Sequence, residues 1–402
     1  MGGDVCYKLK RQILDMKKPF HLAVIQRVCT SYRVHLFEIL ASMPGLRLRL
    51  FVGEDIAGTK VRNASDFKGL DVVQLPTRQW GLGNRVLVYH SSLRKRLEEF
   101  RPDGILCEGE SNILNAIEAI GFRWRHPLVG MAHWSLGGLP GVQKARTGVR
   151  SAARTLFRRQ FDSFVVYSSY GQRVLQDQGF PAETIFVATN VSDTTYHLQQ
   201  AETVNLSKSD ARARLALPDK FTVIYVGSLD SNKRIDVLIE AASSLVAEKI
   251  NIVVCGDGDV LPDLKRLAET RQAMNVHFAG RVSTELPLYY RASDALIVPG
   301  RGGMVISEAM AFGLPVIVYQ ADGTECDLVQ DGVTGIRLQR GYAEDFRHAI
   351  LVLKSNPGWG EEMGRNGQRL IRERFTPENM AKQIVVAVEC AHERRRQLYG
   401  VQ

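Results

Sequence analysis

The feature that most constrains this sequence is a series of short apolar runs separated by helical stretches, and the series occurs twice along the chain. In the first pass, residues 20–28 read as a buried strand and residues 32–41 as a helix, through Leu36, Phe37 and Leu40. Residues 46–52 alternate like a strand, and 71–75, 104–107, 128–131 and 164–167 continue the series. Ser168 and Ser169 then offer a cap for the next helix. The second pass runs through residues 221–226, 252–255, 276–278, 295–298 and 316–318, with helices such as 236–246 and 307–312 between them. Short strands alternating with helices imply a mostly parallel sheet covered on both faces. Two passes through that pattern predict two open α/β domains with a cleft between them.

A chain of 402 residues is long enough for each domain to bury its own core. The polar stretch 199–210 reads as the connection between them, and 377–395 carries one long helical pattern. The expected division is an N-terminal domain over 1–195, a C-terminal domain over 196–376, and a final helix over 377–402 packing back on the N-terminal domain. Ligands of such sheets bind beyond the carboxyl ends of the strands, so residues just after strands carry the functional reading.

Four segments qualify. In residues 223–234, a strand ends at Gly227, where a side chain would obstruct approach to the backbone. Ser228 follows, and Lys233 and Arg234 stand just before a helix, where a lysine and free amides suit a pyrophosphate. In residues 295–318, a strand opens into Gly300-Arg301-Gly302-Gly303 and then a helix, whose dipole favours anions at its entrance. Glu308 lies in an apolar run of that helix and needs a partner. A pair of ribose hydroxyls would satisfy it; so would a structural hydrogen bond. Gly256-Asp257-Gly258-Asp259 has the residue types of a metal-binding carboxylate pair and equally those of a turn. His133 directly follows the predicted strand 128–131, either to bind a sugar or phosphate or to pack beside Trp134.

Charge and cysteine usage narrow the setting. The formal net charge is +9, and Lys144, Arg146, Arg150, Arg154, Arg158 and Arg159 fall in residues 144–159 without an acid among them. On a helix, Arg146, Arg150, Arg154 and Arg158 would line one drifting face, suited to anionic lipid or simply to solvent. The six cysteines are far apart, form no CxxC pair and are expected to be reduced in a cytoplasmic protein. No segment has the roughly 20 apolar residues needed to span a bilayer. No regular aromatic and basic motif supports specific nucleic-acid binding.

Together these segments resemble the retaining glycosyltransferases with the GT-B fold, a family that includes many bacterial polysaccharide and lipopolysaccharide transferases. Residues 308–317, EAMAFGLPVI, carry the most specific likeness. HFAGRV at 277–282, Tyr290-Arg291-Ala292-Ser293-Asp294, Asp322-Gly323-Thr324-Glu325 and Asp331-Gly332-Val333-Thr334-Gly335 add to it. In the first half the likeness is thinner and rests on Tyr32-Arg33, His133 and residues 190–193.

The resemblance implies two Rossmann-like open-sheet domains and transfer of a sugar from a UDP- or GDP-linked donor with retained anomeric configuration. The acceptor would be a glycan, a lipid-linked or a small-molecule hydroxyl. Lys233 would contact the donor diphosphate and Glu308 the ribose hydroxyls, with Gly227 and Ser228 nearby. Amides of Gly302, Gly303 and Met304 would face sugar and phosphate, the backbone at Arg281 and Val282 would flank the base, and His133 would reach the transferred sugar. No metal or other cofactor is implied. The setting would be cytoplasmic or peripheral on the inner membrane face. Two departures stand out: the family's first of two glutamates, which by the resemblance would touch a hydroxyl of the donor sugar from eight positions before Glu308, is here Gly300, and its diphosphate-contacting arginine is Ser228. Arg301 and Arg234 lie beside these positions and are the candidates to compensate. A weak or inactive nucleotide-sugar-binding homologue and a nucleotide-sugar epimerase remain the alternatives.

Overall fold

A computed structural model of the chain describes residues 18–59, 61–81, 86–141 and 148–401, the side chain of Arg150 excepted. Two compact units emerge, one of residues 1–138, 143–188 and 377–402, the other of 139–142 and 189–376. Each is built around its own parallel sheet.

In the first unit the strands are β1 (Phe20–Gln26), β2 (Leu46–Val52), β3 (Val72–Gln74), β4 (Thr77–Trp80), β5 (Leu87–His90), β6 (Gly104–Glu108), β7 (Gly130–Ser135), β8 (Ser163–Val166) and β9 (Ile185–Val187). Seven of them form one sheet in the order β3-β2-β1-β6-β7-β8-β9, and β4 and β5 pair separately as an antiparallel ribbon. Alternation along β1 sorts the core. Phe20, Leu22 and Val24 join one cluster, with Phe37 and Leu40 of helix Ser31–Ser42 and with Ile384 and Val388 of helix Pro377–Leu398. Ala23 and Ile25 join the cluster on the other face, with Leu97 and Phe122. Gly104 and Gly130 open β6 and β7 where the C-terminal helix crosses. A Cβ on Gly130 would fall on the backbone of Ala391 and His392, so the glycine lets the helix lie directly against the sheet. Ser168 caps the helix Ser169–Gln176, accepting from the Gly171 amide at 3.2 Å.

The second unit contains β10 (Phe221–Val226), β11 (Ile250–Cys255), β12 (Val276–Gly280), β13 (Ala295–Val298), β14 (Val316–Val318) and β15 (Gly335–Arg337). Their order is β12-β11-β10-β13-β14-β15, every pairing parallel. Counted from β10, this is the doubly wound order 3-2-1-4-5-6, whose direction of winding reverses between β10 and β13. The central strands β10, β11, β13 and β14 are largely buried, as their Val and Ile runs require, while the edge strands β12 and β15 are mostly half-buried.

The structure corrects two expectations. The polar stretch 199–210 is not an irregular connection: it falls across helices Thr194–Thr203 and Lys208–Arg214 of the second unit, and the chain passes between units at 188–189. Gln, Glu, Lys and Arg are polar but good helix formers, so polarity alone marked the wrong boundary. The predicted strand at 128–131 lies further on, at Gly130–Ser135, which carries His133 and Trp134 inside β7. Among the described residues, no helix is long and apolar enough to cross a membrane.

Candidate functional site

The reversal point of the second sheet gathers most of the sequence-predicted residues. Gly227 ends β10, and its amide donates to the Cys255 carbonyl at 3.0 Å. The Leu229 amide donates to Asp257 at the same distance, and Gly256 donates to Gly280 at 2.7 Å. A Cβ on Gly256 would fall on the Gly227 carbonyl, and one on Gly258 would fall on the Leu229 carbonyl. Gly256-Asp257-Gly258-Asp259 is thus a turn clamped to the loop after β10, and the Asp257 carboxylate accepts from the Gly258 amide at 2.8 Å.

Lys233 ends a 3-10 turn, Ser231–Lys233, that is capped by Asp230 and leads into helix Ile235–Ser243. Burial lowers the affinity of its ammonium for the proton. Asp230 and Asp322 counter that effect, and Arg301 reinforces it. The loop after β13 lies against this turn: the Arg301 amide donates to the Asn232 carbonyl at 3.0 Å. A Cβ on Gly302 would sit 3.6 Å from Lys233 Nζ. Gly303 then opens helix Met304–Ala311 with no side-chain cap. A lysine and a helix amino end therefore meet at the junction of β10 and β13, an arrangement suited to an anion.

Glu308 stands one turn into that helix, half-buried. Burial pushes its carboxyl up to about 7, only partly offset by a hydrogen bond from Tyr290 Oη at 3.1 Å. Tyr290 is itself fully buried, so this hydrogen bond is part of the packed interior behind the helix. Arg281 and Val282 follow Gly280 at the end of β12, Arg281 exposed and Val282 half-buried. Ser228 is exposed and donates to Asp230 at 2.9 Å. Arg234 is turned away to the Gly341 carbonyl at 2.8 Å, which leaves Arg301 as the second cation beside Lys233.

The corresponding edge of the first unit holds a network that the sequence did not disclose. Gln26 and Glu108 end β1 and β6 beside Trp134 on β7. Arg33 bridges Glu108 at 3.2 Å and Tyr167 Oη at 2.7 Å, and stacks on the Trp134 ring at 4.6 Å. Arg27 reaches the same glutamate at 3.7 Å. Gln26 is fully buried, and neither its amide nor Trp134 Nε1 has a hydrogen-bond partner among the described residues. On the opposite sheet face, Arg158 donates to Glu110 at 2.7 Å, and His133 Nε2 lies 3.5 Å from the same carboxylate. Burial opposes the charge on Glu110, but His133 and Arg158 hold its carboxyl well below the usual range.

His133 is therefore not an exposed residue after a strand. It is fully buried within β7 among Phe157, Phe161 and Phe164, and a Cβ on Gly109 would fall on its ring.

The basic face expected over 144–159 is also altered. Residues 144 and 146 lie outside the described residues, and Arg158 is buried. Helix Val149–Arg158 instead exposes Val149, Ala152, Ala153 and Leu156. Cys29, Cys107, Cys255 and Cys390 are buried, and burial raises Cys29 to about 11 and Cys255 to about 12. Cys6 lies outside the described residues.

Residues 207–370 match the family described as Glycosyl transferases group 1, and residues 34–196 match Glycosyltransferase Family 4. The D-inositol 3-phosphate glycosyltransferase of Rhodococcus erythropolis is 28% identical over 379 residues, which cover 89% of this chain and 79% of that protein. The alpha-D-kanosaminyltransferase of Streptomyces kanamyceticus is 28% identical over 176 residues, 42% of this chain and 45% of that protein. The chain spans about half the length of this and other curated relatives it matches. Among solved structures, Anabaena HepE in complex with UDP is similar with a TM-score of 0.68 at 16% identity, covering 92% of this chain and 99% of that one. The apo form of the lipopolysaccharide outer core galactosyltransferase WaaB gives 0.65 at 14%, with the same coverage. Each half of the chain thus matches a glycosyltransferase family model, and the two-sheet architecture is that of the GT-B fold.

Proposed function

We propose that this protein is a retaining glycosyltransferase that moves a sugar from a UDP- or GDP-sugar to a hydroxyl of a glycan, lipid-linked or small-molecule acceptor. The observation that carries this reading is the meeting of Lys233, the amino end of helix Met304–Ala311 and the half-buried Glu308 at the reversal point of the second sheet. Lys233 and the amides of Gly302, Gly303 and Met304 hold the diphosphate, and Arg301 adds positive charge. Glu308 accepts from the ribose hydroxyls, supported from behind by Tyr290. Gly227 and Ser228 border the diphosphate, and the backbone at Arg281 and Val282 flanks the base. UDP is the first base to test, because HepE, of the same fold, is known in complex with UDP.

Chemistry follows from placement and electrostatics. As the bond from the anomeric carbon to the diphosphate breaks, negative charge grows on the leaving oxygen, and Lys233 and the helix amides stabilise it where it develops. The acceptor hydroxyl attacks from the same face and passes its proton to the departing phosphate, so no protein side chain is required as base and no metal is invoked. In the first unit His133 is a positioning residue, holding Glu110 rather than touching sugar. Transfer from UDP- and GDP-sugars by the purified protein tests the reading. Loss of transfer in Lys233→Ala supports it, and undiminished transfer in that variant refutes the assigned role.

The acceptor side is read as working at an anionic membrane surface. What supports this is the exposed apolar stripe Val149, Ala152, Ala153 and Leu156, beside exposed Arg159, on a helix without acids. Co-sedimentation with phosphatidylglycerol vesicles that is reduced in Leu156→Glu is expected; equal pelleting of the two proteins contradicts it.

A further inference from the structure

Resting on the donor reading above, we infer that Asp322 supplies the donor-sugar carboxylate that the family resemblance would place at position 300. The inference begins with why position 300 cannot carry it. A Cβ on Gly300 would lie 2.8 Å from both the carbonyl carbon and oxygen of Lys233, and would meet the Asn232 carbonyl as well. These are backbone atoms of a capped turn, held further by the 3.0 Å hydrogen bond from the Arg301 amide. A glutamate at 300 would displace the turn that presents Lys233. Gly300 is therefore part of how this chain builds its lysine turn, and any carboxylate must come from elsewhere.

Asp322 comes from the loop after β14, the strand next to β13, and is half-buried. Its carboxylate and the Thr324 hydroxyl occupy the space a Cβ on Gly303 would need, so it stands at the opening residue of helix Met304–Ala311. It is also an electrostatic neighbour of Lys233. One oxygen is fixed: Oδ1 accepts from the Thr324 amide at 3.1 Å and from Thr324 Oγ1 at 2.6 Å. Oδ2 accepts no hydrogen bond among the described residues. The loop is held from below by Glu325, fully buried, whose carboxylate accepts from the Gly323 amide at 2.7 Å. A carboxylate with one anchored and one open oxygen, beside the lysine and helix end that take the diphosphate, is disposed to accept from a hydroxyl of the attached sugar. The same charge opposes the diphosphate itself, so Asp322 raises the affinity for a nucleotide-sugar relative to the bare nucleotide.

The test is calorimetric titration of wild type and Asp322→Asn with UDP, UDP-glucose, GDP and GDP-mannose, with melting temperatures to show that the variant is folded. Asparagine keeps the size and an oxygen for Thr324 but loses the charge. For the base that binds, the expected result is a preference for nucleotide-sugar over nucleotide that falls about tenfold, as for a lost charged hydrogen bond, with nucleotide affinity unchanged or tighter. A preference unchanged within twofold, or nucleotide and nucleotide-sugar weakened equally, overturns the inference. Lys233→Ala separates the two levels of the argument. It should weaken nucleotide and nucleotide-sugar alike, and wild type that binds none of the four probes would refute the donor reading itself.

Discussion

The carboxyl edges of the two sheets are the same place in two versions of one architecture, yet they are made of different material. In the second unit the edge is shaped by backbone: Gly227, Gly256, Gly300 and Gly303 sit where a Cβ would strike a neighbouring loop or side chain. In the first unit it is mainly side chain: Arg27 and Arg33 share Glu108, Arg158 and His133 share Glu110, and Trp134 lies under a guanidinium. The first edge pairs both of its carboxylates with cations but leaves the buried Gln26 amide and Trp134 Nε1 without hydrogen-bond partners among the described residues. The second keeps a raised carboxyl and a lysine whose burial disfavours its charge. Groups left short of compensation by the protein are the ones a ligand can complete. The comparison therefore assigns the charged chemistry of a ligand to the second unit, and leaves Gln26 and Trp134 of the first as neutral groups that a ligand can complete.

Substitutions can break that contrast. The largest effect is expected for Lys233→Ala, which should lower turnover by about 10² to 10³, as removal of one charge-stabilising donor does, with little change in melting temperature. Next, Glu108→Ala should destabilise the fold by about 3 kcal/mol, because two arginines lose their shared partner in a mostly buried setting, a shift that thermal or urea unfolding would report. A destabilised Lys233→Ala and an indifferent Glu108→Ala would reverse the assignment.

Glu308→Gln should lower donor affinity about tenfold at pH 8, the scale of a charged hydrogen bond, and should flatten its pH dependence. The sign follows from the raised carboxyl. The carboxylate forms as pH rises through about 7, so wild-type donor affinity should climb between pH 6 and 8. The folded state also holds this proton above the ordinary 4.5, so the contribution of Glu308 to stability falls as pH rises from there to about 7. Smallest of all, Tyr290→Phe removes the one hydrogen bond that favours the charged form, at about 1 kcal/mol, and should move the affinity midpoint to higher pH.

This contrast also explains what could be read from the sequence. A site made of glycines, a helix start and one out-of-place carboxylate leaves a local mark: Gly227, Lys233 and Gly300 to Gly303 stand at strand or helix ends that the apolar pattern locates, and Glu308 interrupts an apolar helix run. Tyr290 and Asp294 likewise fell in a legible motif. The structure gives Tyr290 to Glu308, and Asp294 to the Thr222 amide at the start of β10.

A side-chain network leaves no such mark. Arg33, Glu108 and Tyr167 are brought together only by the order β1-β6-β7-β8, and no spacing in the chain announces it. His133 was misplaced because Trp134 and Ser135 do not read as a continuing apolar strand. The arginine repeat carries no sign of which way its members face: each four-residue step turns about 40° past a full circle, so a face drawn through such a series drifts around the helix. Of the two members whose side chains are described, Arg154 is half-buried and Arg158 buried.

The most direct test of the central claim is hydrogen exchange of the intact protein with and without saturating UDP or GDP, resolved along the chain. The account predicts slowed exchange over 227–234 and 300–308, and little change over 26–33 and 104–112. Protection confined to the first unit, or none with either nucleotide, would contradict a donor site at the β10 and β13 junction.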